Sequence, residues 1–380
     1  MTSPSVSVIV PAHNQEFLIR NTLFSLNHQS YPASQYEVIV VDDCSTDGTK
    51  DLLKSLSINN LKIISHSPNK GAGATRNTGV EAAEGNLIIF CDSDFIVPFH
   101  FISNHAKEHE NETFLALSGM GHWHYVLSYD FEQNYLAYLK QDMETAFDNP
   151  FLKDRKQKAT DGHLLYEEDI YKGNMERFLF CPQYLKSWVK MFEEIIQVYG
   201  KELIGFQYPW LTFCTGNLSI EKNTFKELKG FDESFLRLED WELGYRMYKQ
   251  GGKFKFSEDV EAYQQLSPII PKRNDIQHKA YLKLCEKHPD LDIYLLSLSL
   301  QKGISYTTLS NVLEQHKILL QNQKLSVHTN FFETLLLHYA FKQFRVMRKI
   351  VKRMKKNRPM THYFQQAEDW DFTYQLLREV

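Results

Sequence analysis

Four short apolar-rich runs, at residues 6–10, 38–41, 61–64 and 87–91, punctuate the start of the chain, and stretches of helical character at 16–27, 47–56 and 72–83 separate them. Runs this short are too brief for helices and read as strands, and the five consecutive apolar residues at 87–91 read as a buried parallel strand. Asp47 with Thr49 supplies a helix start after the second run. Parallel strands need a crossover, and the crossover is right-handed. The alternation therefore predicts an α/β fold: a mostly parallel sheet with helices on both faces.

The fourth run carries the chemistry. Leu87-Ile88-Ile89-Phe90-Cys91 closes on Asp92-Ser93-Asp94, which delivers two carboxylates to the C-terminal edge of the sheet, where open α/β sheets bind ligands. Two aspartates one residue apart can share a hard divalent cation whose other positions go to water and phosphate oxygens. An isolated Asp-x-Asp is common in loops, so its neighbours decide its meaning. The first run ends in Pro11-Ala12-His13-Asn14 and the second in Asp42-Asp43-Cys44-Ser45-Thr46-Asp47. Acids at the second tip can accept from a base N–H or a ribose hydroxyl. The third segment, Asn69-Lys70-Gly71-Ala72-Gly73-Ala74-Thr75-Arg76-Asn77, has glycines that permit close backbone approach. It also has an arginine that can face an anion.

These motifs resemble the family-two glycosyltransferases, inverting nucleotide-sugar enzymes of the GT-A (Rossmann-like) fold. The resemblance rests on residues 8–14, 41–49, 69–77 and Asp92-Ser93-Asp94. It continues at Thr215-Gly216-Asn217-Leu218-Ser219 and at Glu239-Asp240-Trp241-Glu242-Leu243-Gly244-Tyr245-Arg246, which look like the later half of chondroitin- and hyaluronan-polymerase-type catalytic domains. It implies a UDP-sugar donor held by Pro11, Ala12, His13, Asn14, Asp42, Asp43, Asn69, Lys70, Gly71, Arg76, Asp92 and Ser93. It implies Mn2+ or Mg2+ on Asp94 and Asp92, Asp240 as the catalytic base with Glu239 orienting the acceptor, and acceptor contacts at Trp241, Gly216 and Asn217. A core role for Trp241 is equally open. Many relatives have a metal-ligating His where Ala262-Tyr263-Gln264-Gln265 carries Gln264, and an amide oxygen is the weaker ligand for manganese. The implied activity is transfer of a hexosyl or N-acetylhexosaminyl unit to a glycan, lipid-linked or peptide acceptor. The alternatives are a nucleotidyltransferase and a non-catalytic scaffold with a degenerate metal site.

At 380 residues the chain suffices for one large or two ordinary domains. The placement read here is a catalytic domain at 1–265 and a helical C-terminal region at 266–380, beyond Pro268 and Pro271. In between, the sequence suggests a helix at 183–199, an exposed loop at 153–160, a strand at 214–220, a turn at 230–232, and a helix from Glu239 that stops at Gly251-Gly252. A net charge of −4 gives no global field for nucleic acid. Five cysteines without a CxxC pair fit a reduced, cytoplasmic interior. The first run begins too early for a signal peptide, and no stretch approaches 18 apolar residues.

Two further features stand outside this frame. His122 and His124 would share a strand face, but with no third ligand nearby they are left out of the site. From Lys342 to Arg358 nine Lys or Arg accompany Phe344, Met347, Ile350, Val351 and Met354 at helical spacing, without an acid. Such a helix either docks its apolar stripe on its own domain or makes peripheral contact with an anionic inner membrane face.

Overall fold

The computed structural model describes residues 5–58, 60–119, 125–131, 137–182, 185–267 and 273–321. His122, His124 and the basic segment 342–358 lie outside the described residues. The strands are β1 Val6–Ala12, β2 Tyr36–Asp42, β3 Leu61–Ser65, β4 Leu87–Cys91, β5 Phe95–Ile96, β6 Leu115–Ser118, β7 Tyr125–Val126, β8 Leu179–Phe180, β9 Asn217–Glu221, β10 Lys253–Phe256 and β11 Tyr263–Gln265. The helices are α1 Ile19–Asn27, α2 Thr49–Ser55, α3 Ala72–Ala82, α4 Phe101–Glu108, α5 Ala137–Phe147, α6 Pro150–Lys158, α7 Glu167–Tyr171, α8 Leu185–Tyr199, α9 Lys222–Glu227, α10 Glu239–Lys249, α11 Arg273–Lys287, α12 Leu291–Lys302 and α13 Tyr306–Gln321. None of the described helices is long and apolar enough to cross a membrane.

Seven strands form one sheet in the order β10-β6-β9-β4-β1-β2-β3. Pairing is parallel between β1 and β2, β1 and β4, β2 and β3, and β6 and β10. The exception is β9, which runs antiparallel between β4 and β6. Both faces of β1 are covered. Val6, Val8 and Val10 join Ile19, Leu23 and Leu26 of α1 in one cluster. On the opposite face Ile9 meets Gly79 of α3, where an added Cβ would lie 2.3 Å from Ile9 Cγ2. Full burial of Val8, Ile9 and Val10 explains the unbroken apolar run.

A second sheet, β5-β11-β7-β8, is built from strands of two or three residues. Runs so short leave no alternation to read. Gln265 ties this sheet to α1: its Nε2 donates to the Leu18 carbonyl at 2.9 Å, and its Oε1 accepts from Asn21 Nδ2 at 3.0 Å.

The exposed loop expected at 153–160 is instead mostly helix α6. Asn149 caps it by accepting from the Phe151 N–H at 2.9 Å, and Pro150 occupies the first turn. Polar composition hid a buried side: Leu152 is packed in the core, and the Arg155 guanidinium stacks over Phe151, Tyr166 and Phe178 at 5.4–5.7 Å. The chain divides into two compact units, Met1–Tyr281 and Leu282–Val380.

Candidate active site

The register of the large sheet assembles the site. Ala12 pairs with Asp42 at the ends of β1 and β2, and Cys91 of β4 pairs with Asn217 of β9. The segments following β1, β2 and β4 and the one preceding β9 therefore leave from one edge. Asn14 and Cys44 adopt left-handed backbone, with φ of 55° and 61°. Asn14 affords this because its Oδ1 accepts from Thr46 N at 2.8 Å while its own N–H reaches Ser45 Oγ at 2.9 Å.

The two acids at the tip of β2 hold protein groups. Asp43 Oδ1 accepts from Lys70 N and Oδ2 from Gly71 N, both at 2.8 Å, and His66 Nδ1 lies 2.8 Å from Oδ1. Burial raises its pKa, but the Lys70 and Gly71 N–H groups and His66 outweigh that and leave the carboxyl below its ordinary value. Its carboxylate thus shapes the 69–71 loop, where Gly71 sits at φ 89°. Asn69 Nδ2 donates to the Asp43 carbonyl at 3.0 Å, and His13 Nδ1 lies 2.8 Å from the same oxygen. Asp42 is wholly buried. Its Oδ1 accepts from Ser45 N at 3.2 Å, while Oδ2 has no hydrogen-bond partner and faces Lys50 Nζ at 3.8 Å. Pro11 pairs with Val41 in the strands beneath.

Arg76 is the junction between the early and late parts of the chain. Buried at 5% exposure, it donates from Nη2 to Asp92 Oδ1 at 2.7 Å and from Nη1 to Glu239 Oε1 at 2.8 Å. Burial works against its charge, but Asp92 and Glu239 raise its pKa further, so the guanidinium stays protonated. Asp240, next to Glu239, packs on most sides and keeps a partly open edge. Burial and then the Glu239 charge raise its pKa to about 7, against the opposing pull of Arg76 and of the Trp241 N–H. That N–H donates to Asp240 Oδ1 at 2.8 Å. The dipole at the N-terminus of α10 favours the ionised form of Asp240; desolvation and a like charge exceed it.

Ser93 is buried, and its carbonyl accepts from Thr22 Oγ1 at 2.8 Å, fixing the Asp92–Asp94 turn to α1. Gln264 is brought to Asp94: its Nε2 donates to Asp94 Oδ2 at 3.0 Å. No group of three or more His, Cys, Asp and Glu suited to a metal occurs among the described residues. The local donors are nevertheless two carboxylates and an amide, an all-oxygen set that fits a hard cation completing its shell with water and diphosphate oxygens.

On the other side, Gly216 lies close under Phe95 and Asp92; a Cβ there would sit 3.0 Å from the Phe95 ring and 3.4 Å from Asp92 Oδ2. Trp241 is half-buried, its ring edge-on to Trp210 at 6.2 Å. Asn217 does not fit an acceptor contact. It is 3% exposed, its Nδ2 donates to the Val260 carbonyl at 2.7 Å, and its Oδ1 lies 3.0 Å from His105 Nε2. A polar residue in a strand can serve the interior as readily as a ligand, and here it does the former.

Sequence reasoning missed the groups that brace this site. Glu242, fully buried, takes Arg246 through Nε at 2.9 Å and Nη2 at 2.8 Å. Arg246 also donates to the carbonyls of Leu228 and Gly230. Asn77 exchanges two 2.9 Å hydrogen bonds with the Phe231 backbone, locking this turn to α3 beside Arg76. The i,i+4 spacing of Glu242 and Arg246 was the available signal. His66, which bridges Asp43 to Thr78, gave none.

The sequence pattern described as "Glycosyl transferase family 2" matches residues 7–170, and that described as "N-terminal domain of galactosyltransferase" matches residues 199–279. The uncharacterized glycosyltransferase YfnE of Bacillus subtilis is 29% identical over 87% of this chain and 82% of its own length. The poly(ribitol-phosphate) beta-N-acetylglucosaminyltransferase TarS of Staphylococcus aureus is 38% identical over 29% of this chain and 20% of its own length. The crystal structure of S. aureus TarS 1–349 superposes with a TM-score of 0.50 at 19% identity, covering 88% of this chain and 86% of that one. The shared architecture is the GT-A fold.

Proposed function

We propose, from the premise that residues 7–170 make this chain a family 2 glycosyltransferase, that it moves a hexosyl or N-acetylhexosaminyl unit from a UDP-sugar to a glycan hydroxyl with inversion. The observation that carries this is the Arg76 bridge. One buried guanidinium joins Asp92, at the donor edge, to Glu239, beside Asp240, so a donor and an acceptor would meet at a single centre. The names of two partial relatives support the unit transferred: TarS as an N-acetylglucosaminyltransferase and a Bacillus spizizenii protein as a poly(ribitol-phosphate) beta-glucosyltransferase.

The chain's own groups divide the work. The 69–71 loop, held by Asp43, and the segment from His13 to Asn14 form the donor end of the edge. Asp94 and Asp92, with Gln264 alongside, would hold Mg2+ or Mn2+, which when bound supplies positive charge to a leaving diphosphate. Asp240 Oδ1 is engaged by the Trp241 N–H; Oδ2 removes the proton from the acceptor hydroxyl as its oxygen attacks the anomeric carbon. A carboxylate with a pKa near 7 is well matched to this step, half-ionised at neutral pH yet basic enough to accept. Glu239, fixed by Arg76, orients the hydroxyl.

The test is Asp240→Asn, assayed for UDP binding by calorimetry with and without manganese and for transfer from UDP-sugars. UDP affinity should stay within about twofold while transfer falls by about 10²–10⁴-fold. Transfer surviving the substitution would remove Asp240 from the mechanism, and failure of the wild type to bind UDP would remove the donor assignment.

A further inference from the structure

The geometry points to an aromatic track along the outer face of α1 that binds the acceptor glycan chain away from the transfer centre; this rests on the glycosyl-transfer reading. Phe17 precedes α1 by two residues and lies three residues beyond Asn14, so the track starts at the donor edge. Arg20, Phe24 and His28 then recur at intervals of four and share a helix face. The Arg20 guanidinium covers the Phe24 ring at 5.9 Å. Opposite this face stands the segment carrying His163, Tyr166 and Tyr171, and the two enclose a cleft of about 640 Å³. The rings connect the ends: Phe17 lies 4.6 Å from Tyr129, which lies 5.0 Å from His163, while His28 lies 4.5 Å from Tyr171 and 5.0 Å from Phe99.

Four large aromatics among the described residues are substantially exposed, and all belong to this face: Phe17 at 38%, Phe99 at 46%, Tyr166 at 41% and Tyr171 at 39%. The other large exposed apolar side chains are Ile, Leu or Val and occur elsewhere. A concentration of exposed apolar surface marks a binding face. Flat rings with one buried aliphatic residue, Leu165, among the lining suit the C–H faces of sugar rings better than an acyl chain or a protein core. Polar groups at the same spacing serve the hydroxyls: Arg20 and His163 line the cleft, and Glu167, which accepts from the Tyr171 hydroxyl, lines it too. Asp161, Glu167 and Glu168 offset Arg20 and Lys172 along the walls, so the cleft has no strong single sign. That favours an uncharged sugar chain over an anionic membrane.

The test is a printed array of neutral oligosaccharides of three to ten units, probed with the wild type, Asp240→Asn, Tyr166→Ala/Tyr171→Ala and Arg20→Ala, alongside UDP titration and melting of each. Wild type and Asp240→Asn should retain the same glycans. Loss of two stacking rings should weaken retention about tenfold or more with UDP affinity and melting unchanged, and Tyr166→Phe/Tyr171→Phe should restore most of it. Undiminished retention by the alanine pair would overturn the proposal. So would wild type that binds UDP but retains no glycan, or tyrosine-dependent binding to phosphatidylglycerol vesicles in place of glycans. In those cases intact UDP binding leaves the transferase reading standing, whereas its absence in the wild type sinks that reading separately.

Discussion

Asp240→Asn should abolish transfer and at the same time stabilise the protein, in a pH-dependent way. In the fold, burial and Glu239 raise the Asp240 pKa from 3.8 to about 7. A carboxyl whose folded pKa lies above its unfolded value favours the native state fully below pH 4. That contribution is lost as pH rises to about 7, because ionisation is easier in the unfolded chain. Each pKa unit corresponds to about 1.4 kcal/mol, so the whole shift bounds the loss at about 4 kcal/mol. Solvent screening at the open edge of Asp240 reduces this to about 1–2 kcal/mol. Asparagine keeps the acceptor for the Trp241 N–H and removes the charge. At about 2–4 °C per kcal/mol for a domain of this size, the variant should melt about 2–8 °C above wild type at pH 8. At pH 5, where only about a third of that loss has occurred, the gap should be clearly smaller. Differential scanning fluorimetry at both pH values decides it. A variant no more stable than wild type at pH 8, or a gap equal at both pH values, would refute the claim that ionised Asp240 is held against its solvation.

Arg76→Met removes the charge that lowers the Asp240 pKa and strands Glu239 in a buried position. The cost should be about 3–5 kcal/mol at pH 8 by denaturant melts, and the rise of transfer rate with pH should move above 7. Asp43→Ala leaves the Lys70 and Gly71 N–H groups without their acceptor and should cost about 2–4 kcal/mol. That gap should shrink as acid protonates the wild-type carboxylate, whose folded pKa is depressed. Gln264→His should tighten manganese binding in the presence of UDP, measured by calorimetry or manganese paramagnetic resonance; unchanged affinity would detach Gln264 from the metal.

The first hundred residues were legible because each layer of the βαβ pattern is written locally: strands as short apolar-rich runs, unbroken at the wholly buried β4, helix starts as polar caps, loops as glycine-rich turns. The donor-edge residues inherit that clarity from their place at strand ends. What stayed hidden depends on partners distant in sequence. Arg76 reads as a residue facing a donor anion until Glu239, 163 positions away, closes on it. Asp43 reads as a ligand until the Lys70 and Gly71 N–H groups fill its oxygens, and Asn217 as an acceptor contact until Val260 and His105 take its amide. The 153–160 stretch looked solvated because the burial of Leu152 and the stacking of Arg155 leave no mark in a polar sequence.

The antiparallel insertion of β9 between β4 and β6 has a consequence for synthesis. When β4 leaves the ribosome, β1 is available to cover one of its edges, but the strand for its other edge lies about 125 residues further along. At about 5–20 residues per second the edge of Leu87–Cys91, all five residues of which end up buried, stays open for about 6–25 seconds. An apolar edge exposed that long is a template for pairing with another nascent chain. Chaperone engagement should therefore concentrate on polysomes carrying 100–220 residues of this protein and fall once residue 221 has emerged.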